Sequence, residues 1–156
     1  MKSKRSPDQN NQIAEVQLIY KSKTKAADRV QVTTSKETFE LLKSLWNMDT
    51  IELQEEFKVL LLNRSSQVLG LMHLSSGGIS GTVADPKLIF VAALKAAASA
   101  IILCHNHPSG QVRPSRSDEA ATGKIRMAGD LLNIQLLDHL IITNESYFSF
   151  ADEGLL

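Results

Sequence analysis

The chain has a single cysteine, Cys104, among its 156 residues. No internal disulfide can form, so stability has to come from an ordinary hydrophobic core, and a reducing compartment suits the chain. Long apolar runs are missing as well. The longest, Ala96 to Cys104 and broken only by Ser99, falls far short of the ~20 residues that span a bilayer. No charged-then-apolar leader pattern opens the sequence. These absences lead to the expectation of a cytoplasmic protein with no membrane segment. Charge of one sign is not in excess: Lys plus Arg and Asp plus Glu each number 17. That balance weakens the case for a dedicated nucleic-acid binder. No internal repeat is visible, and the only compositional bias is the alanine-rich "AALKAAASA".

What charge there is sits unevenly. Residues 1 to 29 hold seven basic side chains (Lys2, Lys4, Arg5, Lys21, Lys23, Lys25, Arg29) against Asp8, Glu15 and Asp28, a net of +4. A solvated, frayed arm accounts for this, and weak nonspecific contact with nucleic acid through residues 1–29 is the alternative use. Residues 1–12 read as a flexible tail. "EVQLIYKS" (15–22) alternates apolar and polar positions and reads as a short strand. Thr34 and Glu37 have capping-box spacing ahead of Phe39, Leu42 and Trp46 at helical intervals, which predicts an amphipathic helix.

From Glu55 onward the patterns alternate between strand and helix. "EEFKVLLLNRSSQVLGLMHLSSGG" reads as two antiparallel strands around the polar "NRSS" turn. Asp85 and Pro86 have the N-cap and first-turn chemistry of a helix that runs through "KLIFVAALK". "AIILC" is then a buried strand, "SRSDEAATGKIRMAGDLLN" a helix despite Gly123 and Gly129, and "IQLLDHLIIT" with "SYFSF" the last strands. The order predicts an α/β domain with a mixed sheet.

The chemistry concentrates in "CHNHPSGQVRPSRSD", residues 104–118. On an extended strand His105 and His107 share one face, while Cys104 and Asn106 take the other. Seven residues separate His107 from Ser115, and Asp118 follows three later. A catalytic zinc site uses three protein ligands and one open position, a count that two imidazoles and one carboxylate meet. Pro108, Gly110 and Pro114 supply the turns that bring the chain back. Ser115 and Asp118 also have the spacing of a helix cap and its partner, and both roles can coexist. Cys104 reads as a buried thiol, and His73 as a half-exposed strand residue. The string "HNH" is unrelated to the nuclease motif of that name, whose residues are separated in sequence.

The blocks "HNHPSG", "PSRSD", "SSGGISGTVADPK", "DHLIIT" and "YFSFADEG" resemble the JAB/MPN (JAMM) metallohydrolases, and in particular their RadC-like branch, from about Glu55 to Leu156. The resemblance implies a single α/β domain, a mixed β-sheet flanked by helices with cytidine-deaminase-like layering. The expected organisation is a tail over 1–12, a strand and helix over 13–54, and the RadC-like domain over 55–156. One zinc per chain would be held by His105, His107 and Asp118. An upstream glutamate would activate water, and the pattern E-x-F puts it at Glu55 rather than Glu56. Ser115 would stabilise the oxyanion, and His139 would stand behind the ligands or at a sheet edge. The implied activity is hydrolysis of a peptide or isopeptide amide. The family's historical link with DNA repair leaves a nucleic-acid accessory protein as one alternative, and a protein-binding scaffold as another. Larger members begin with a helix-hairpin-helix domain, for which this chain has no room ahead of the JAB-like region.

Overall fold

Alternation along one strand sets the layer plan. In β1 (Glu56–Leu62), Phe57, Val59 and Leu61 join one apolar cluster and Leu60 and Leu62 join another on the opposite face. This is the period-two geometry of a pleated strand. The structure is a computed structural model and describes residues 14, 16–17, 19–78 and 82–156. The expected tail over 1–12 lies outside the described residues.

β1 pairs antiparallel with β2 (Val68–Ser76) across the "NRSS" turn, and antiparallel with β3 (Ala100–Asn106) on its other edge. β3 pairs in parallel with β4 (Gln135–Ile142), and β4 antiparallel with β5 (Tyr147–Ser149). The sheet order is β2-β1-β3-β4-β5. As the central strand, β3 is buried along its whole length, which explains why its sequence is apolar without alternation.

Helices cover both faces. α1 (Ser35–Leu45) packs Leu42, with Trp46 just beyond its end, against Leu60, Leu62, Ile102, Cys104 and Leu140. α2 (Pro86–Lys95) and α3 (Arg116–Leu132) pack Ile89, Phe90, Ala93 and Ile125 against Phe57, Val59, Leu61, Ile101 and Leu103. Thr34 and Glu37 form the capping box of α1, and the Asp85 side chain accepts from the Lys87 N–H at the start of α2. Both starts match the caps expected from sequence. The described residues form a single α/β domain with a mixed five-stranded sheet and three α-helices.

The strand expected over 15–22 does not form at its described positions. Val16, Ile19 and Tyr20 are exposed there. So short a run offers too little apolar surface to offset the entropy of ordering it. The chain meets the sheet later, where Val30 accepts a hydrogen bond from the Val68 N–H and Gln31 bridges to Gln67. No helix among the described residues is long and apolar enough to cross a membrane.

The two glycines inside α3 differ in kind. A Cβ at Gly129 would lie 2.3 Å from the backbone oxygen of Ile134, where the chain turns back after the helix, whereas a Cβ at exposed Gly123 would meet nothing within 4 Å. Gly123→Ala should therefore stabilise by about 0.5–1 kcal/mol through helix propensity. Gly129→Ala should destabilise by about 1–3 kcal/mol through overpacking. Urea denaturation midpoints of the two variants will move in opposite directions.

Candidate metal centre

His105 is the last residue but one of the central strand, and its side chain is fully buried. It faces Phe57 across the β1–β3 ladder, and the two rings stack with centroids 5.6 Å apart and planes 2° from parallel. His107 continues the extended path for one more pleat, its N–H bonded to Ile142 O at 3.0 Å. Both imidazoles therefore point the same way, and their Nε2 atoms are 2.9 Å apart. The following loop tightens at Gly110, whose φ of 79° favours glycine. It delivers Ser115 as the N-cap of α3 and places Asp118 in that helix's first turn.

Asp118 Oδ1 lies 3.2 Å from His105 Nε2, and Oδ2 lies 3.7 Å from His107 Nε2. The candidate ligand atoms of these three residues all fall within 4.8 Å of one another. His107 Nδ1 is 2.7 Å from the Gln111 carbonyl oxygen. An oxygen without a proton must accept, so His107 carries a proton on Nδ1 and turns Nε2 toward Asp118. His105 Nδ1 is engaged on its far side by His139 Nε2 at 2.8 Å. Electron-rich atoms thus converge on a single point, an arrangement that favours a cation.

The Asp118 carboxyl is held well below the usual carboxylate range. Burial alone would raise it, but hydrogen bonding and charge from His105, together with the Ser115 hydroxyl and N–H, prevail. His139 is pushed the other way: its complete burial, then the neighbouring His105, hold it well below the usual imidazole range and so neutral. Burial raises the Cys104 thiol far above its ordinary value, and Cys104 packs on the α1 face away from the histidines. That leaves it as inert core.

A cleft of about 370 Å³ opens over this cluster, lined in part by Glu55, Thr82, His107, Ser115 and Asp118. Glu55 sits just ahead of β1, where its N–H bonds to Gly78 O and its carbonyl accepts from the Gly77 N–H. Glu56 lies on the α1 face. It pairs with Lys58 Nζ at 3.0 Å, and that ammonium sits 3.8 Å from the Trp46 ring centroid. The Ser115 hydroxyl donates to Asp118 Oδ2 at 2.6 Å and the Asp118 side chain accepts the Ser115 N–H, so the capping box and the candidate metal cluster share Asp118. Ser75 donates to Val83 O, fastening the loop that carries Thr82 into the cleft. His73 is exposed and bonds Ser76.

A match to the family model described as the RadC-like JAB domain covers residues 32–155. The chain belongs to the RadC-like JAB domain family. It is 46% identical over 126 residues to a UPF0758 protein of Flavobacterium johnsoniae, covering 80% of this chain and 53% of that protein. It is 55% identical over 104 residues to a UPF0758 protein of Porphyromonas gingivalis, covering 66% and 46% respectively. A UPF0758 protein of Chlorobaculum tepidum is 39% identical over 127 residues, covering 81% and 56%. This RadC-like chain therefore spans about half the length of the curated relatives it matches.

Two residues important to the geometry were not identifiable from local pattern. Thr122, one turn after Asp118, is buried and donates to the Asp118 carbonyl. The only sequence signal is a polar side chain four residues from a candidate ligand, on the inner face of α3. Asn106, between the two histidines, points to the opposite face as strand alternation expects. What alternation cannot give is its partners. Its amide donates to Ile51 O and Gln54 O at 2.7 and 2.8 Å and accepts from the Glu56 N–H at 2.7 Å. The segment that delivers Glu55 is thereby pinned to the end of β3. Each buried group left unpaired costs about 1–3 kcal/mol. Asn106→Ala should accordingly lower unfolding free energy by about 3 kcal/mol while the His105, His107 and Asp118 side chains remain in place, a loss readable in thermal melts of the two proteins.

Proposed function

We propose that the RadC-like domain is a zinc-dependent amide hydrolase, acting on a peptide or isopeptide bond in the cytoplasm. The observation that carries this reading is the convergence of His105, His107 and Asp118 at a cleft that Glu55 and Ser115 also line. Two imidazoles and one carboxylate fit a catalytic zinc ion better than magnesium or calcium, which prefer all-oxygen shells. The arrangement of the proton on His107 leaves Nε2 ready to ligate, and depression of the Asp118 carboxyl keeps it ionised.

Bound at these three residues, zinc would supply Lewis acidity and bring the pKa of water from 15.7 to about 7. Glu55 takes a proton from the attacking water and returns it to the leaving amine nitrogen, a general acid/base role typically worth about 10² to 10⁴ in rate. Ser115 turns its hydroxyl from Asp118 toward the developing oxyanion, where such a donor contributes about 10² to 10³. Phe57 and Ala84 give the cleft an apolar wall that excludes water beside the scissile amide. Glu56, held by Lys58 on the other face, takes no part.

Protein purified without chelator should carry close to one zinc per chain by elemental analysis. The His105→Ala, His107→Ala double variant should carry none. Glu55→Gln should keep the zinc and lose hydrolysis across a library of peptide and isopeptide substrates by at least about 100-fold, while Glu56→Gln retains both. Full zinc content in the double histidine variant would place the ion elsewhere and defeat the proposal.

A further inference from the structure

We propose that Thr122 and His139 are positioning residues that hold a proton on His105 Nδ1, so that Nε2 is the nitrogen turned to the metal position, and that they tie His105 to Asp118 in one closed ring. Counting protons derives it. Thr122 Oγ1 has one proton and two polar neighbours, each at 2.6 Å: the backbone oxygen of Asp118 and Nδ1 of His139. The carbonyl has no proton to give, so the hydroxyl proton goes to it. His139 Nδ1 must then donate to Thr122 Oγ1, and full burial of a ring bonded to Thr122 and His105 rather than to a carboxylate leaves Nε2 as a bare lone pair. His105 Nδ1 lies 2.8 Å from that lone pair and so carries its own proton there. Nε2 of His105 is then the nitrogen turned toward the metal position, 3.2 Å from Asp118 Oδ1.

The ring starts on the Asp118 carbonyl and closes on the Asp118 carboxylate. Reversing either the Thr122–His139 or the His139–His105 hydrogen bond would set two lone pairs, or two protons, against each other in a buried site. Water has little access to relieve the conflict, because Thr122 is 2% exposed and His105 and His139 are 0% exposed. Nor is the His139 ring loose. It stacks on Phe150 with centroids 4.8 Å apart, and Phe57 lies 5.6 Å away at 51°. A histidine that merely filled the core would need none of this proton order. The ring connects β3, β4 and α3, the three elements that set where the two candidate ligands His105 and Asp118 stand. Its consequence for metal affinity rests on the metal-centre reading above, whereas the proton order itself does not.

The test uses the full chain, isotopically labelled with ¹⁵N, with zinc alone as the probe. Long-range ¹H–¹⁵N correlation spectra should show His105 protonated on Nδ1, His139 protonated on Nδ1, and a scalar coupling across the N–H···N bond between them. Thr122→Val should scramble the His139 tautomer and weaken zinc binding about 10- to 100-fold, the range for losing an outer hydrogen-bond partner of a ligand. Thr122→Ser should restore both, which separates proton order from simple packing. His139→Phe should abolish the coupling and weaken zinc binding similarly. Should that variant fail to fold, the Thr122 pair and the wild-type spectrum still decide. A His105 ring without a proton on Nδ1 in the wild-type protein, or wild-type zinc affinity in Thr122→Val, would overturn the proposal and leave the metal reading intact. The predicted coupling in a wild-type protein that takes up no zinc would uphold the proton order and sink the metal reading instead.

Discussion

Two imidazole nitrogens 2.9 Å apart, with a carboxylate oxygen 3.2 Å from one of them, press electron density into one small volume. His107 cannot escape by moving its proton, because Gln111 O holds Nδ1–H in place. His105 is held from behind by His139, and Asp118 by the Ser115 cap. Such a cluster is favourable only with positive charge at its centre, and its supports keep it from relaxing when that charge is absent. Much of the fold can be understood as the means of holding these three groups against their mutual repulsion.

The supports come from distant parts of the chain. The central strand buries His105 between sheet neighbours, and its last pleat presents His107 on the same side. A parallel crossover through α3 returns Asp118 to the end of that strand, which is where α/β sheets characteristically carry their sites. Asn106, facing away between the two histidines, fastens the loop that ends in Glu55. One tripeptide thus supplies two candidate ligands on one face and a clamp for the candidate base on the other. The separation of Glu55 from Glu56 follows from the same pleat: one lines the cleft, and the other is neutralised by Lys58 under Trp46.

Periodicity made the interior of this arrangement readable before any coordinates. Alternation alone puts His105 and His107 together and Cys104 and Asn106 opposite. The capping-box spacing of Ser115 and Asp118 starts α3 where the cluster needs it. What periodicity could not supply is contact between residues far apart in sequence. His139 was expected behind the ligands or at a sheet edge. β4 lies inside the sheet, between β3 and β5, and His139 reaches a histidine 34 residues away and a threonine 17 residues away. The Asn106 clamp spans 50 to 55 residues. The misread stretch, 15–22, shows the opposite failure. Its alternation is genuine, but at its described positions the apolar side chains stay exposed, and a pattern without burial does not make a strand.

X-ray absorption at the zinc edge of the zinc-loaded chain tests the central claim most directly, since it reads the ligand atoms themselves. The account predicts about four nitrogen and oxygen neighbours at roughly 2.0–2.2 Å, with the outer-shell scattering of two imidazole rings. Sulfur at about 2.3 Å, which would implicate Cys104, or a light-atom shell without imidazole scattering, would contradict it.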